Sequence, residues 1–154
     1  RRMPLRSHED ICVFYKKLPA YNPQMSTGKP LHGRGIAYKN KKLTNNCYGS
    51  MGAEYISREG CTEKFPTSII RIPKPHPSIT VHPTQKPVEL CEWIIRTFTE
   101  QGDTVLDNAM GSGSTGVACL KNGRKFIGME LNAGFFEIAR NRIEHTIKAV
   151  LDTL

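Results

Sequence analysis

The sequence predicts an α/β fold built on a parallel sheet of the nucleotide-binding kind, present only in part. Three features predict it. A glycine cluster, "DNAMGSGSTG" (107–116), stands between the apolar stretch "TVLD" and the helix-compatible "VACLKNG". From Pro87 onward, helical and strand patterns alternate. Between residues 18 and 80 the composition turns to Pro, Gly, Asn and Lys, as in a loop-rich insertion carried by a more regular core.

In chain order, "ICVFYKK" (11–17) gathers β-branched and aromatic residues in a short run ending in lysines, which predicts a buried or half-buried strand. Residues 18–80 keep neither period for long, and only "GIAY" (35–38) and "TSIIRI" (67–72) suggest short strands. In "PVELCEWIIRTFTE", Val88, Leu90, Cys91, Ile94, Ile95 and Phe98 share a helical face, and Pro87 suits the first helical turn. "DTVLDNAM" reads as a strand, "STGVACLKNG" as a helix closed by Gly123, "KFIGMEL" (125–131) as a second strand, and "GFFEIARNRIEHTIKAVL" as an amphipathic helix. The expected organisation is a strand-bearing segment at 1–19, an insertion at 20–80 and a ligand-binding part at 81–154.

The net charge of +8 is unevenly placed. Residues 1–76 hold 14 Lys/Arg against 5 Asp/Glu, and residues 77–154 hold 8 against 9. An excess confined to one half points to a surface that meets a polyanion, because each cation placed at a phosphate releases condensed counterions. The five cysteines are widely spread and form no C-x-x-C pair, so neither disulfides nor a metal site is expected. No apolar run approaches the roughly 20 residues that cross a bilayer, and the expected location is cytoplasmic.

Gly111, Gly113 and Gly116 spell G-x-G-x-x-G. Glycines there permit a tight turn and close backbone approach to a ligand, while the following helix offers free N–H groups. Glu130, at the end of the second strand, is placed to accept two hydrogen bonds from a ribose diol. Two ligands fit this order: a dinucleotide, or S-adenosylmethionine with its cationic sulfonium. Asp107 is awkward beside a pyrophosphate and suitable near an ammonium or sulfonium, unless it only caps the turn. In "HPTQKP" (82–87), Lys86 at a helix start is placed to pair with a carboxylate such as the methionine end of S-adenosylmethionine, and Thr84 to add a hydrogen bond. Taken alone, the hexapeptide also reads as a proline-bounded linker with a surface lysine.

In this order, "HPTQKP", a helix, "DNAMGSGSTG" and a strand-end glutamate resemble the permuted amino-group DNA methyltransferases. These adenine-N6 and cytosine-N4 enzymes of bacteria and phages carry their cofactor motifs after the catalytic one. The match is close over 82–134. "SHEDICVFYKK" with "YNPQM" looks like the entry to the target-recognition region of phage-type adenine enzymes, and the likeness is weak within 26–80. The resemblance implies an incomplete Rossmann-like S-adenosylmethionine-dependent methyltransferase fold with a loop-rich target-recognition insertion. It also implies that Asp107, Gly111 and Gly113 line the cofactor, that Glu130 holds the ribose hydroxyls, and that Lys86 and Thr84 meet the methionine carboxylate. His82, Gln85, Asn108, Ser112, Ser114 and Thr115 complete the expected cofactor set. Double-stranded DNA is the expected partner, with Arg34, Lys39, Lys41 and Lys42 as candidates for phosphate and Gln24, Asn45 and Asn46 for base edges.

Two departures stand out. The family has Pro-Phe after the aspartate where this chain has Asn108-Ala109, which removes an apolar wall. Its D/N/S-P-P-Y/W/F tetrapeptide, which holds the target amine and stacks on a flipped base, is absent, since none of the ten prolines is followed by another. No catalytic residue is therefore expected in this chain, and the isolated chain is expected to be inactive. A sheet of this kind needs more strands than are legible here, so further strands are expected before Arg1, on a missing N-terminal catalytic segment or a second copy. Two rival readings remain: an NAD-binding oxidoreductase domain, and a non-enzymatic DNA-binding remnant.

Overall fold

A computed structural model describes residues 8–30, 44–45, 49–50 and 60–153. It falls into two compact units, one formed by Arg1–Asn22 with Ile72–Leu154 and the other by Pro23–Arg71.

The first unit holds the regular core. Strand β5 (Thr104–Asp107), helix α2 (Ser114–Lys121) and strand β6 (Lys125–Gly128) form a β-α-β unit, preceded by helix α1 (Val88–Phe98) and followed by helix α3 (Ala133–Leu151). β5 and β6 pair in parallel, with Val105 opposite Phe126 and Leu106 opposite Ile127. Because side chains alternate across a strand, Val105 and Phe126 pack toward the core of Ile95, Ala118 and Cys119, joined by Val88 and Cys91 of α1. Leu106 and Ile127, on the other face, are 59% and 51% exposed, so no described element covers that face.

Local chemistry explains the element ends. Pro87 is the N-cap of α1, one position earlier than a first-turn residue, and its fixed φ of −58° leads the extended chain into the helix. Asn132 caps α3 by accepting the N–H of Phe135 at 3.1 Å. The buried Arg124 donates to the carbonyls of Thr99 and Asn122, the C-caps of α1 and α2, so one cation serves two negative helix ends. Gly123 closes α2 with φ 69°.

Three expectations are corrected within the described residues. "ICVFYKK" (11–17) contains no strand, nor do the other described residues of the segment, 8–19; Phe14 is 91% exposed and Tyr15 61%. Its propensity is right, but a strand exists only by pairing, and no described strand lies alongside. "TSIIRI" (67–72) is likewise irregular, with Ile69 70% exposed; Pro66 and Pro73 bracket it and supply no ladder N–H. β6 ends at Gly128 instead of Leu131, because its partner ends at Asp107. The chain then turns, Met129 donating to the Asp107 carbonyl and Met110 to the Met129 carbonyl, both at 2.9 Å.

In the second unit, β1 (Ser26–Thr27) pairs with β4 (Glu63–Lys64) and β2 (Thr44–Asn45) with β3 (Gly49–Ser50), both antiparallel. The strand expected over 35–38 lies outside the described residues. Among the described residues no helix is long and apolar enough to cross a membrane.

Candidate functional site

The glycine loop is held from two sides. Gly113 is the N-cap of α2 with φ 76°, in the left-handed region that a glycine enters at no steric cost. A Cβ at this position would lie 3.0 Å from that of Ala139 on α3. From α3, Arg142 donates to the carbonyl of Ser112 and pins the loop. Burial lowers the pKa of this half-buried guanidinium. From the other side comes 82–87. The His82 ring packs against that of Phe135 in a tilted contact, centroids 4.2 Å apart, and lies 3.5 Å from where a Gly111 Cβ would stand. Gln85 Oε1 accepts both the Val81 N–H and the Ser112 hydroxyl, at 3.1 and 3.2 Å.

Together these residues enclose a pocket of about 70 Å³ lined by His82, Thr84, Gln85, Lys86, Met110, Gly111, Ser112 and Ser114. Seven of these eight are in the cofactor set expected from sequence. A complete ligand site is several times larger, so this volume suits one polar end of a ligand. Its lining includes Lys86 and Ser114, and the Ser114 hydroxyl is buried with no hydrogen-bond partner. A buried hydroxyl left unpaired is costly.

The remaining candidates organise the loop around this pocket. Asp107 accepts the Thr115 hydroxyl at 2.7 Å and the Ala109 N–H at 3.1 Å. Asn108 is exposed on the turn. Glu130 accepts the N–H groups of Asn132 and Gly111, each at 2.9 Å. These two donors, that of Asn132 first, hold its carboxyl below the usual glutamate range. Each oxygen keeps a further lone pair for a ligand hydroxyl.

Sequence reading missed Met110, Gly128, Arg142 and Glu9. A Cβ on Gly128 would stand 2.3 Å from Met110 Sδ, so that glycine makes room for the buried methionine under the pocket. Glu9 Oε2 meets Lys86 Nζ at 2.5 Å, a contact 77 residues apart that no local spacing reveals. Of the nucleic-acid candidates, Arg34, Lys39, Lys41, Lys42 and Asn46 lie outside the described residues; Asn45 falls in β2, and Gln24 is partly buried just before β1.

Comparison with known proteins gives the family of the chain. The DNA methylase family of N6 and N4 methyltransferases matches residues 1–141, and the chain belongs to that family. It is 49% identical over 63 residues to the type II methyltransferase M2.DpnII of Streptococcus pneumoniae, covering 41% of this chain and 24% of that protein. It is 43% identical over 63 residues to the DNA adenine methyltransferase YhdJ of Escherichia coli K12, covering 41% of this chain and 21% of that protein. The matched parts thus span about a quarter or less of these curated relatives. The structure of an M1.HpyAVI–SAM complex aligns with 32% identity and a TM-score of 0.48, over 68% of this chain and 57% of that one.

Proposed function

We propose that this chain forms the S-adenosylmethionine-binding and DNA-contacting portion of an amino-group DNA methyltransferase, with adenine N6 as the target. One observation carries the reading: segment 82–87 and the glycine loop, joined through Gln85 and Ser112, shape a small pocket lined by Lys86 and by Ser114, whose buried hydroxyl is unpartnered. Such a pocket fits a carboxylate. A pyrophosphate placed on the same loop would face the carboxylates of Asp107 and Glu130 instead. When bound, S-adenosylmethionine supplies an electrophilic methyl group to an exocyclic amine.

Within this portion, Lys86 and Ser114 bind the methionine carboxylate, with Thr84 beside them. Glu130 orients the ribose through its free lone pairs. Asp107 fixes the turn through Thr115 and Ala109 and stands on the side of the positive charge. His82 and Met110 close the pocket against water. Positioning of this kind converts an encounter into an in-line approach and is a large part of such catalysis. Because the proline-proline tetrapeptide is not in these 154 residues, the groups that hold the target amine are assigned to the rest of the enzyme. The adenine assignment is supported by the name and 43% identity of YhdJ. The DNA partner is supported by family membership and by the basic excess of residues 1–76.

Calorimetric titration with S-adenosylmethionine tests the reading, with NAD and a Glu130→Ala variant alongside. Saturable binding of S-adenosylmethionine, weakened in the variant, is expected. Preferential binding of NAD would overturn it.

A further inference from the structure

Glu9 belongs to "SHEDICVFYKK" and to neither cofactor motif, yet its carboxylate meets Lys86 Nζ at 2.5 Å and Lys74 Nζ at 3.7 Å. Lys86 lines the pocket; Glu9 reaches it without lining the pocket, so its carboxylate does not plug the space. Three acids surround the site. Asp107 is bound by Thr115 and Ala109, and Glu130 by the backbone of Gly111 and Asn132. Glu9, by contrast, has flexible lysine side chains as its ion-pair partners, and these can move to admit another cation.

We propose that Glu9 is a specificity-determining residue that reads the α-ammonium of the ligand's amino-acid end while Lys86 reads its carboxylate. This inference rests on the S-adenosylmethionine reading above. The free α-amino acid end of that ligand carries one positive and one negative charge a few ångströms apart, and the Lys86–Glu9 pair presents the complementary order. On binding, one exposed ion pair opens and two form, so that charges alternate in sign around the mouth of the pocket. Lys74 balances Glu9 in the free protein and leaves the cluster with an excess positive charge, which favours arrival of the carboxylate first. A ligand with the same nucleoside but no amino-acid end would gain nothing from Glu9.

The test compares S-adenosylhomocysteine, which keeps the amino-acid end, with 5′-methylthioadenosine, which lacks it, by calorimetry on the wild-type chain and on Glu9→Gln. Expected is a loss of roughly five-fold in affinity for S-adenosylhomocysteine, on the scale of an exposed charge pair, with 5′-methylthioadenosine unchanged. The unchanged ligand also reports that the variant is folded. Equal losses for both ligands would make Glu9 merely structural and overturn the proposal. An unchanged or higher affinity of the variant for S-adenosylhomocysteine would overturn it too, the latter marking Glu9 as a competitor for Lys86. Wild-type chain that binds neither nucleoside would overturn the S-adenosylmethionine reading itself, a result distinct from any effect of Glu9.

Discussion

Gln85 Oε1 accepts the hydroxyl of Ser112 at 3.2 Å, so two segments 27 residues apart share one hydrogen bond across the wall of the pocket. The same oxygen takes the Val81 N–H, which fixes the turn before α1. Gln85→Ala removes the acceptor and leaves the largely buried Ser112 hydroxyl unpaired. A neutral hydrogen bond contributes about 0.5–1.5 kcal/mol, so affinity for S-adenosylmethionine should fall by up to about ten-fold. Calorimetry on the variant checks this, and unchanged affinity would mean that the tie does not shape the pocket.

Arg142 pins the same loop from behind through the Ser112 carbonyl. Arg142→Ala should weaken ligand binding although residue 142 does not line the pocket. Arg142→Lys, which keeps a donor but loses the guanidinium's reach, should recover part of the loss. Equal affinities in all three proteins would contradict a loop-positioning role.

Gly128→Ala places a methyl group 2.3 Å from Met110 Sδ and 2.6 Å from Phe126 Cε1. Overpacking of this kind costs about 1–3 kcal/mol. The midpoint of urea unfolding should drop accordingly. An unchanged midpoint would show that Met110 moves aside freely.

Glu130 provides a pH signature. The Asn132 and Gly111 N–H groups favour its charged form and depress its pKa. A depressed carboxyl contributes stability that is present above the unfolded-state value and is lost as pH falls through the lower folded-state value. Wild-type protein should therefore lose more stability on acidification below the usual glutamate range than Glu130→Gln does, while the two show parallel profiles at neutral pH. Urea midpoints across that range read the difference, and parallel acid limbs would argue against it.

The thiols should react in the order of their exposure. Cys12 is exposed, whereas Cys119 is fully buried and burial pushes its pKa up to about 11. Only the thiolate reacts, so at neutral pH a thiol reagent should label Cys12 rapidly and Cys119 only on unfolding. Mass spectrometry of partly labelled protein settles the order; early labelling of Cys119 would mean that the α1–α2 core opens readily.

The β-α-β unit and its flanking helices were legible because each carries its own periodicity and punctuation: Pro87 before α1, Gly113 before α2, Gly123 after it. Seven pocket residues were legible because they sit in two short motifs. Strands were harder. "ICVFYKK" and "TSIIRI" have strand composition, but pairing is a long-range property that composition does not encode. Arg142, Glu9 and Gly128 escaped for the same reason, since their importance lies in Ser112, Lys86 and Met110, each far along the chain. Thr97 is fully buried in α1, where its hydroxyl donates to the Trp93 carbonyl one turn earlier and so needs no partner outside the helix.

The most direct test of the central claim is an amide NMR titration of ¹⁵N-labelled chain with S-adenosylmethionine. If the pocket between segment 82–87 and the glycine loop takes the amino-acid end, the signals of Gln85, Lys86, Gly111, Ser112 and Ser114 shift together and saturably, with Glu130 following through the ribose. Saturable shifts confined to other parts of the chain, with these residues unmoved, would contradict the account.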